Sequence, residues 1–478
     1  MLRNSFRDPE GRLLVSNGKV LRVVTRQGMR SFQSFLASPV AQSFVSDRRI
    51  VSTKVFGEPE ADEVIEKEAL RPFLNGMEVG AVVEHERVPF QSYPHEWPAE
   101  LLFAAADLTL ELAERLLTDR LGLKDATPFN VLFRGAEPVF IDVLSFEERH
   151  AGDPIWLPYG QFVRTFITPL LLHKYFGLFP NMFFLARREG LEPEDVYKLC
   201  GPVRRLLPPF LTLVSIPKWL GVTSYAARTD TYVKKKFTEP ERATYILRYL
   251  FKRLRRLLMR LAPVAGQRSS WTGYMADMTH YTTDQFATKQ SFVECALREF
   301  QPRSVLDVGC NSGMFSMLAA KCGARVVAID SDPVVLGDLA RAAWKDRLDI
   351  LPLVVDLTRP TPAIGWQNAE CPGFLERARG AFDAVFMLAV VHHMLVSERI
   401  PLEEIVDLTA DLARDIVILE FVAPQDEMFR RLARGREYLY DGLTVESFEA
   451  AWRRRFEIVR SQHIEHTQRS LYLLRKTA

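Results

Sequence analysis

A chain of 478 residues has room for two or three domains, and 47% hydrophobic with 26% charged residues is the balance of an ordinary folded protein. The formal net charge of +2 implies no global polyanion partner, so nucleic acid is not expected. Five cysteines with no C-x-x-C pair argue against a disulfide framework or a zinc site, and a reducing cytoplasm fits them best.

The first residues, Met1 to Asp8, are polar and have no apolar core of a signal peptide behind them. Asn17-Gly18 between two apolar runs reads as a hairpin turn, which leaves no glycine-rich phosphate loop near the start. The informative stretch is Leu123 to Phe133, followed by Pro138-Val-Phe-Ile-Asp142. Asp125 and Asn130 stand five apart, and Asp142 ends a short apolar strand. A protein-kinase-type phosphotransferase uses that order: a base Asp, a metal-binding Asn, then a metal-binding Asp. The segment resembles the catalytic loop of aminoglycoside phosphotransferases and other kinase-like folds. The resemblance implies an α+β domain over residues 1–150, with Mg²⁺ held by Asn130 and Asp142. It is a degenerate match, because Lys124 precedes Asp125 where the family has His or Arg, and no V-A-I-K lysine is evident.

Residues 151–265 read as a helical extension. The most apolar part, 162–185, is broken by Arg164, His173, Lys174 and two prolines, so no membrane span is expected. Over 245–261, Leu247, Leu250, Phe251, Leu254, Leu257, Leu258 and Leu261 share one face at helical spacing, while Arg248, Lys252, Arg255, Arg256 and Arg260 gather elsewhere. From Thr231 to Ser270 there are 11 Lys/Arg against 2 Asp/Glu. Two readings follow: a core-packing helix with a solvated basic face, or a peripheral contact with an anionic surface through 245–261. The turn-rich stretch Ala262 to Ser270 marks the joint to a third unit, 271–478.

That unit opens on Ser304-Val-Leu-Asp-Val-Gly-Cys-Asn-Ser-Gly-Met-Phe-Ser316, a short strand, a glycine turn and a helix start. A dinucleotide fingerprint would need glycines at 311 and 314, where Asn311 and Met314 stand. Asp307 would repel a pyrophosphate, but it suits S-adenosylmethionine (SAM), which carries a sulfonium and an ammonium. The motif resembles motif I of the class I SAM-dependent methyltransferases. Four more strands follow in rhythm with helices: Gly323 to Asp330, Leu351 to Asp356, Phe382 to Leu388 and Asp415 to Glu420. Helices are expected at 316–322, 333–344 and 402–412. The fold class is therefore α/β, a doubly wound Rossmann-like sheet. Two final strands, Phe456 to Ser461 and Ser470 to Arg475, look like the antiparallel pair that closes the methyltransferase sheet. The resemblance implies a cofactor site at Asp307, Gly309, Cys310, Asn311, Gly313, Asp330, Asp356 and Leu388. Asp330 would take the ribose hydroxyls, and Asp356 would meet the adenine amino group. Beyond the fourth strand, His392 and His393 are candidate general bases, of which at most one can face the pocket. Glu420 is the second candidate. Trp271, Tyr274, Tyr281 and Lys289 precede the first strand, where a segment often lids such a pocket.

The whole chain resembles the bacterial methyltransferase group that includes nodulation protein NoeA. The supporting residues are Ser5 to Pro9, Ser92 to Trp97, Leu123 to Pro128, Phe140 to Phe146, Leu306 to Gly313 and Val390 to His393. Pro360 to Trp366 belongs with them, though the sequence alone offers no mechanism for it. The resemblance implies methyl transfer to an oxygen or nitrogen of a small molecule or glycan, with the N-terminal half selecting substrate. Two alternatives stand beside it: a bifunctional kinase–methyltransferase, and a non-catalytic SAM-binding interaction protein.

Overall fold

The computed structural model describes residues 7–74, 76–221, 237–266 and 281–477 in full, and the backbone alone at Leu2–Arg3. The N-terminal sheet is antiparallel and built from β1 (Leu2–Arg3), β2 (Gly11–Ser16), β3 (Lys19–Thr25), β4 (Thr53–Phe56) and β5 (Val79–His85), in the order β1-β2-β3-β5-β4. Asn17 and Gly18 close β2 on β3 with φ of 49° and 80°, the left-handed pair that a two-residue hairpin turn demands. Helices Met29–Ala37 and Pro39–Ser46 lie between β3 and β4. The long helix Ala99–Arg115 follows β5. Two short pairs come next: β6 (Leu121–Leu123) with β9 (Phe146–Glu148), and β7 (Val131–Arg134) with β8 (Glu137–Phe140). Asp125 and Asn130 sit between β6 and β7. Asp142 lies in the turn after β8, which stops at Phe140 rather than running to the acid.

The amphipathic helix spans Pro240–Arg260, starting five residues before the expected Tyr245 because Pro240 supplies a preformed first turn. Its Leu247, Phe251, Leu254 and Leu258 are buried. Arg255 reaches Asp107 at 2.8 Å and Glu114 at 3.1 Å on the Ala99–Arg115 helix. The four apolar residues are thus spent on the core, while Arg248, Lys252, Arg256 and Arg260 stay exposed together with Tyr245, Tyr249 and Met259. No helix among the described residues is long and apolar enough to cross a membrane. Residues 267–270 of the expected joint lie outside the described residues, as do Trp271 and Tyr274.

The C-terminal part resumes with the helix Thr283–Phe300, capped by a reciprocal pair between Thr282 and Gln285. Its sheet comprises β10 (Ser304–Val308), β11 (Arg325–Asp330), β12 (Ile350–Val354), β13 (Phe382–Met387), β14 (Ala413–Val422), β15 (Phe456–His463) and β16 (Arg469–Lys476). The order is β12-β11-β10-β13-β14-β16-β15. The first five strands are parallel, and β16 and β15 close the sheet antiparallel. Helices Met314–Lys321, Pro333–Asp346 and Leu402–Leu412 take the expected crossover positions. Strand order reverses at β10, whose neighbours are β11 and β13. A ligand crevice opens at such a switch point, outside the carboxyl ends of the strands.

The two parts share one apolar core, in which Trp97, Leu102 and Phe140 belong to the same buried cluster as Val308, Ile329, Leu353 and Phe382. Polar contacts stitch its edge. Glu96 pairs with Arg377, both nearly inaccessible, and also accepts from Thr361 Oγ1 at 2.6 Å. Glu100 pairs with Arg341, and Trp344 Nε1 donates to the Ala136 carbonyl at 2.8 Å. The stretches Ser92 to Trp97 and Pro360 to Trp366 therefore meet at this seam, which gives the second a structural reason that was lacking.

Candidate active site

A cavity of about 360 Å³ lies over the carboxyl ends of β10, β11, β12 and β13. Its floor is the turn after β10. Gly309 adopts φ +66°, and its backbone lines the cavity together with Cys310 and Asn311. A side chain there would be strained by the backbone, and its Cβ would sit 3.0 Å from Val390 Cγ2. Gly313, grouped with these residues from sequence, does not line the cavity. Its φ is +76°, and a Cβ would drive into Leu339 of the Pro333–Asp346 helix at 2.3 Å. Its lack of a side chain lets that helix pack close.

Asp307 is buried at the end of β10 and accepts from Ser316 Oγ at 2.5 Å. Burial pushes its carboxyl up to about 7, with the Asp330 charge adding to the effect. Asp330 closes β11 and faces the same space. One of its oxygens accepts from Asn311 N and the other from Asp332 N, each at 2.9 Å, so it braces the glycine turn as well as lining the pocket. Burial raises its pKa too. Asp356 lies two residues beyond β12, where one oxygen accepts from both the N–H and the hydroxyl of Thr358, at 2.9 and 2.6 Å. Leu388, just past β13, adds an apolar wall.

The adjacent histidines separate cleanly. His393 lines the cavity. His392 is 2% exposed and packs behind it, with ring centroids 4.3 Å apart, and neither of its ring nitrogens has a hydrogen-bond partner. Burial holds both imidazoles below the ordinary 6.5, that of His392 well below; the Arg469 cation adds to the shift at His393.

Glu420 does not line the cavity. It is fully buried on β14, with Lys289 Nζ at 2.5 Å and Arg469 Nη1 at 3.3 Å, and it accepts the Tyr281 hydroxyl. Burial works to raise its pKa, but the two cations outweigh it and hold the group below 4.5. A carboxylate so neutralised is a structural counter-ion, which corrects its candidacy as a base. Arg469, which also pairs with Asp426 at 2.8 Å, was not singled out from sequence. The available signal was a lone arginine opening an apolar strand. Tyr281 and Lys289 do line the cavity, and Lys289 brings its charge already paired.

In the N-terminal part, Asp142 Oδ1 accepts from Arg22 Nη1 at 2.8 Å. Asp125 accepts from Gln161 Nε2 at 3.2 Å, and the buried Asn130 Nδ2 has no partner. Burial raises the Asp125 pKa, and the Asp142 charge adds to the rise. The cation beside Asp142 is a guanidinium on β3. Among the described residues no cluster of three His, Cys, Asp or Glu could hold a metal ion, and with Arg22 on Asp142 the expected Mg²⁺ site at Asn130 and Asp142 finds no support.

The cavity's donor set fits SAM. Four carboxylates, Asp307, Asp330, Asp356 and Glu398, line it with no arginine among the described residues, and its one lysine, Lys289, is paired with Glu420, which suits a cationic ligand and not a phosphate. Comparison with known proteins agrees. A family profile described as a methyltransferase domain matches residues 246–475. Nodulation protein NoeA of Rhizobium meliloti (strain 1021) is 30% identical over 475 residues, covering 99% of this chain and 95% of that protein. Among solved structures, the N-methyltransferase NodS from Bradyrhizobium japonicum WM9 aligns with 41% of this chain and 98% of its own, at 13% identity and a TM-score of 0.31. WbdD aligns over 40% of each chain at 17% identity and a TM-score of 0.29. The chain belongs to the SAM-dependent methyltransferases, in the group that includes nodulation protein NoeA.

Proposed function

We propose that this enzyme methylates an oxygen or nitrogen of a small molecule or glycan, with His393 as general base and the N-terminal half selecting the acceptor. The carrying observation is the place of His393 on the cavity wall, beyond β13 and across from the Gly309 turn. SAM, when bound, supplies an electrophilic methyl on a sulfonium. Asp307, Asp330 and Asp356 would hold it, the first two close to the turn and the third toward β12. The backbone at Gly309 admits a ligand where a side chain would not. His393 is neutral at physiological pH because burial holds its pKa below 6.5, so its imidazole can take the acceptor's proton as the acceptor attacks. Lys289 and Tyr281, anchored through Glu420, fix the wall beside it. The glycan part of the reading draws on the likeness to a nodulation protein.

For the N-terminal half, the strand order β1-β2-β3-β5-β4 and the Asp125, Asn130 and Asp142 placement support a kinase-like fold in which Arg22 has taken the cation's place. We read it as a binding domain. The reading of 245–261 as a peripheral contact draws on its exposed cations with Tyr245, Tyr249 and Met259 beside them, since Leu247, Phe251, Leu254 and Leu258 are buried.

The test is formation of S-adenosylhomocysteine on hydroxyl- and amine-bearing oligosaccharides, with wild type and His393→Ala compared. Turnover lost in the variant with SAM affinity retained supports the reading. SAM binding by calorimetry without product on any acceptor would favour the non-catalytic alternative.

A further inference from the structure

We infer that the short helices Pro193–Leu199, Pro202–Leu206 and Ile216–Trp219 form a surface that docks on an anionic lipid bilayer. The inference is independent of which acceptor is methylated.

Three observations carry it. First, Leu199, Val203, Leu206, Leu207, Trp219 and Leu220 are exposed, Val203 and Leu220 each at 71%. Single exposed apolar residues are ordinary, but six large ones within 22 positions of sequence are not. Second, they lie on neighbouring elements. Tyr197 is clasped by Arg205 at 4.0 Å and Lys218 at 4.2 Å from its ring centroid, and its hydroxyl accepts from Trp219 Nε1 at 3.4 Å. That clasp holds the second and third helices side by side against the first. Third, the charge beyond the first turn of the first helix, where Glu194 stands and Asp195 is paired with Arg187, is one-sided. From Val196 to Gly221 the chain carries Lys198, Arg204, Arg205 and Lys218 and no Asp or Glu.

Exposed Leu and Trp interleaved with Lys and Arg match the interfacial zone of a bilayer. Apolar side chains enter the acyl boundary, indole sits at the headgroups, and cations meet anionic lipid. A protein partner would not by itself require a stretch without acids. The absence of a helix able to cross a membrane among the described residues makes the contact peripheral. The Pro240–Arg260 helix differs in that Leu247, Phe251, Leu254 and Leu258 are in the core; its exposed Tyr245, Tyr249 and Met259 stand among cations, so it is the competing contact that the experiment must separate.

The experiment is co-sedimentation of the full chain with phosphatidylcholine vesicles, with and without about one-third phosphatidylglycerol. Wild type should partition about tenfold or more better onto the anionic vesicles, and salt should weaken binding. Leu206→Glu/Leu220→Glu should abolish it. Lys198→Glu should weaken it on anionic vesicles. All three side chains are exposed, and an unchanged thermal melt would confirm the fold. The proposal fails if wild type binds neither vesicle. It fails if Leu206→Glu/Leu220→Glu binds like wild type while Arg248→Glu/Lys252→Glu abolishes binding, which would assign the contact to the long helix. It fails equally if the patch variants convert a vesicle-free dimer to monomer, for the surface would then be an interface between copies.

Discussion

Arg22 Nη1 stands 2.8 Å from Asp142 Oδ1, across a separation of 120 residues, in a pair that is largely shielded from solvent. The acid that a phosphotransferase would commit to a metal is already matched by a fixed cation. Mg²⁺ with ATP should therefore leave the thermal midpoint unchanged and release no phosphate. Arg22→Ala should lower stability by about 1–3 kcal/mol, the scale of a desolvated group left without its partner. ATP hydrolysis lost on Asp142→Asn would revive the bifunctional reading.

Asp307 should couple SAM binding to pH. Its carboxyl titrates at about 7 in the ligand-free site, and only its anion attracts a cationic ligand. Binding should lower that pKa and expel a proton, so affinity should rise as pH increases from 6 to 8, on either side of that value. Calorimetry in buffers of different ionisation enthalpy reads the proton directly. Asp307→Asn should flatten the dependence; an unaltered profile would show that another group titrates.

Asp330→Ala should weaken SAM binding by about 1.5–3 kcal/mol, the range of charge-assisted hydrogen bonds. Because Asp330 also receives the N–H groups of Asn311 and Asp332, a modest fall in thermal midpoint should accompany it. Unchanged affinity in the folded variant would remove it from the cofactor site.

His393→Ala should cost about 10²–10⁴ in turnover and leave SAM affinity nearly intact. The ascending limb of the pH–rate profile should lie below 6.5, because burial and Arg469 both disfavour the imidazolium. His392→Ala should instead lower stability, as expected for a buried side chain that does not face the cavity. Wild-type turnover in the His393 variant would leave the base unassigned.

Glu420→Gln strips Lys289 and Arg469 of their shared counter-ion and should destabilise the fold by about 3–5 kcal/mol. The acid limb carries the same information. Glu420 has a folded pKa below 4.5, so its contribution is complete above the unfolded value and fades as pH falls through the folded one. Acid unfolding monitored by circular dichroism should therefore start at higher pH if the Glu420 network is weakened by Tyr281→Phe.

What the sequence disclosed was local. Asp307, Gly309 and Asp330 could be grouped because a strand, its turn and the next strand's last residue lie within 24 consecutive positions, and parallel pairing of β10 with β11 then brings them to one cavity. Pairings over long separations were opaque. Nothing around Asp142 announces Arg22, and nothing around Glu420 announces Arg469, which antiparallel β16 delivers from 49 residues away. The packing of Gly313 was opaque for a related reason: its neighbour Leu339 belongs to the next helix, and the same left-handed φ serves packing or ligand approach equally well. Two adjacent histidines cannot be ranked without knowing how the helix turns, and the structure alone separates His393 from His392.

The contact between Arg255 and the acids of the Ala99–Arg115 helix has a practical corollary. The recognised methyltransferase region begins at residue 246, partway along a helix whose apolar side rests on the other half of the molecule. Cutting there would divide that helix and strip Arg377 of Glu96 and Arg341 of Glu100. An excised catalytic fragment would present bare core to water, and its insolubility would say nothing about its chemistry. Biochemistry on this enzyme should begin with the intact polypeptide.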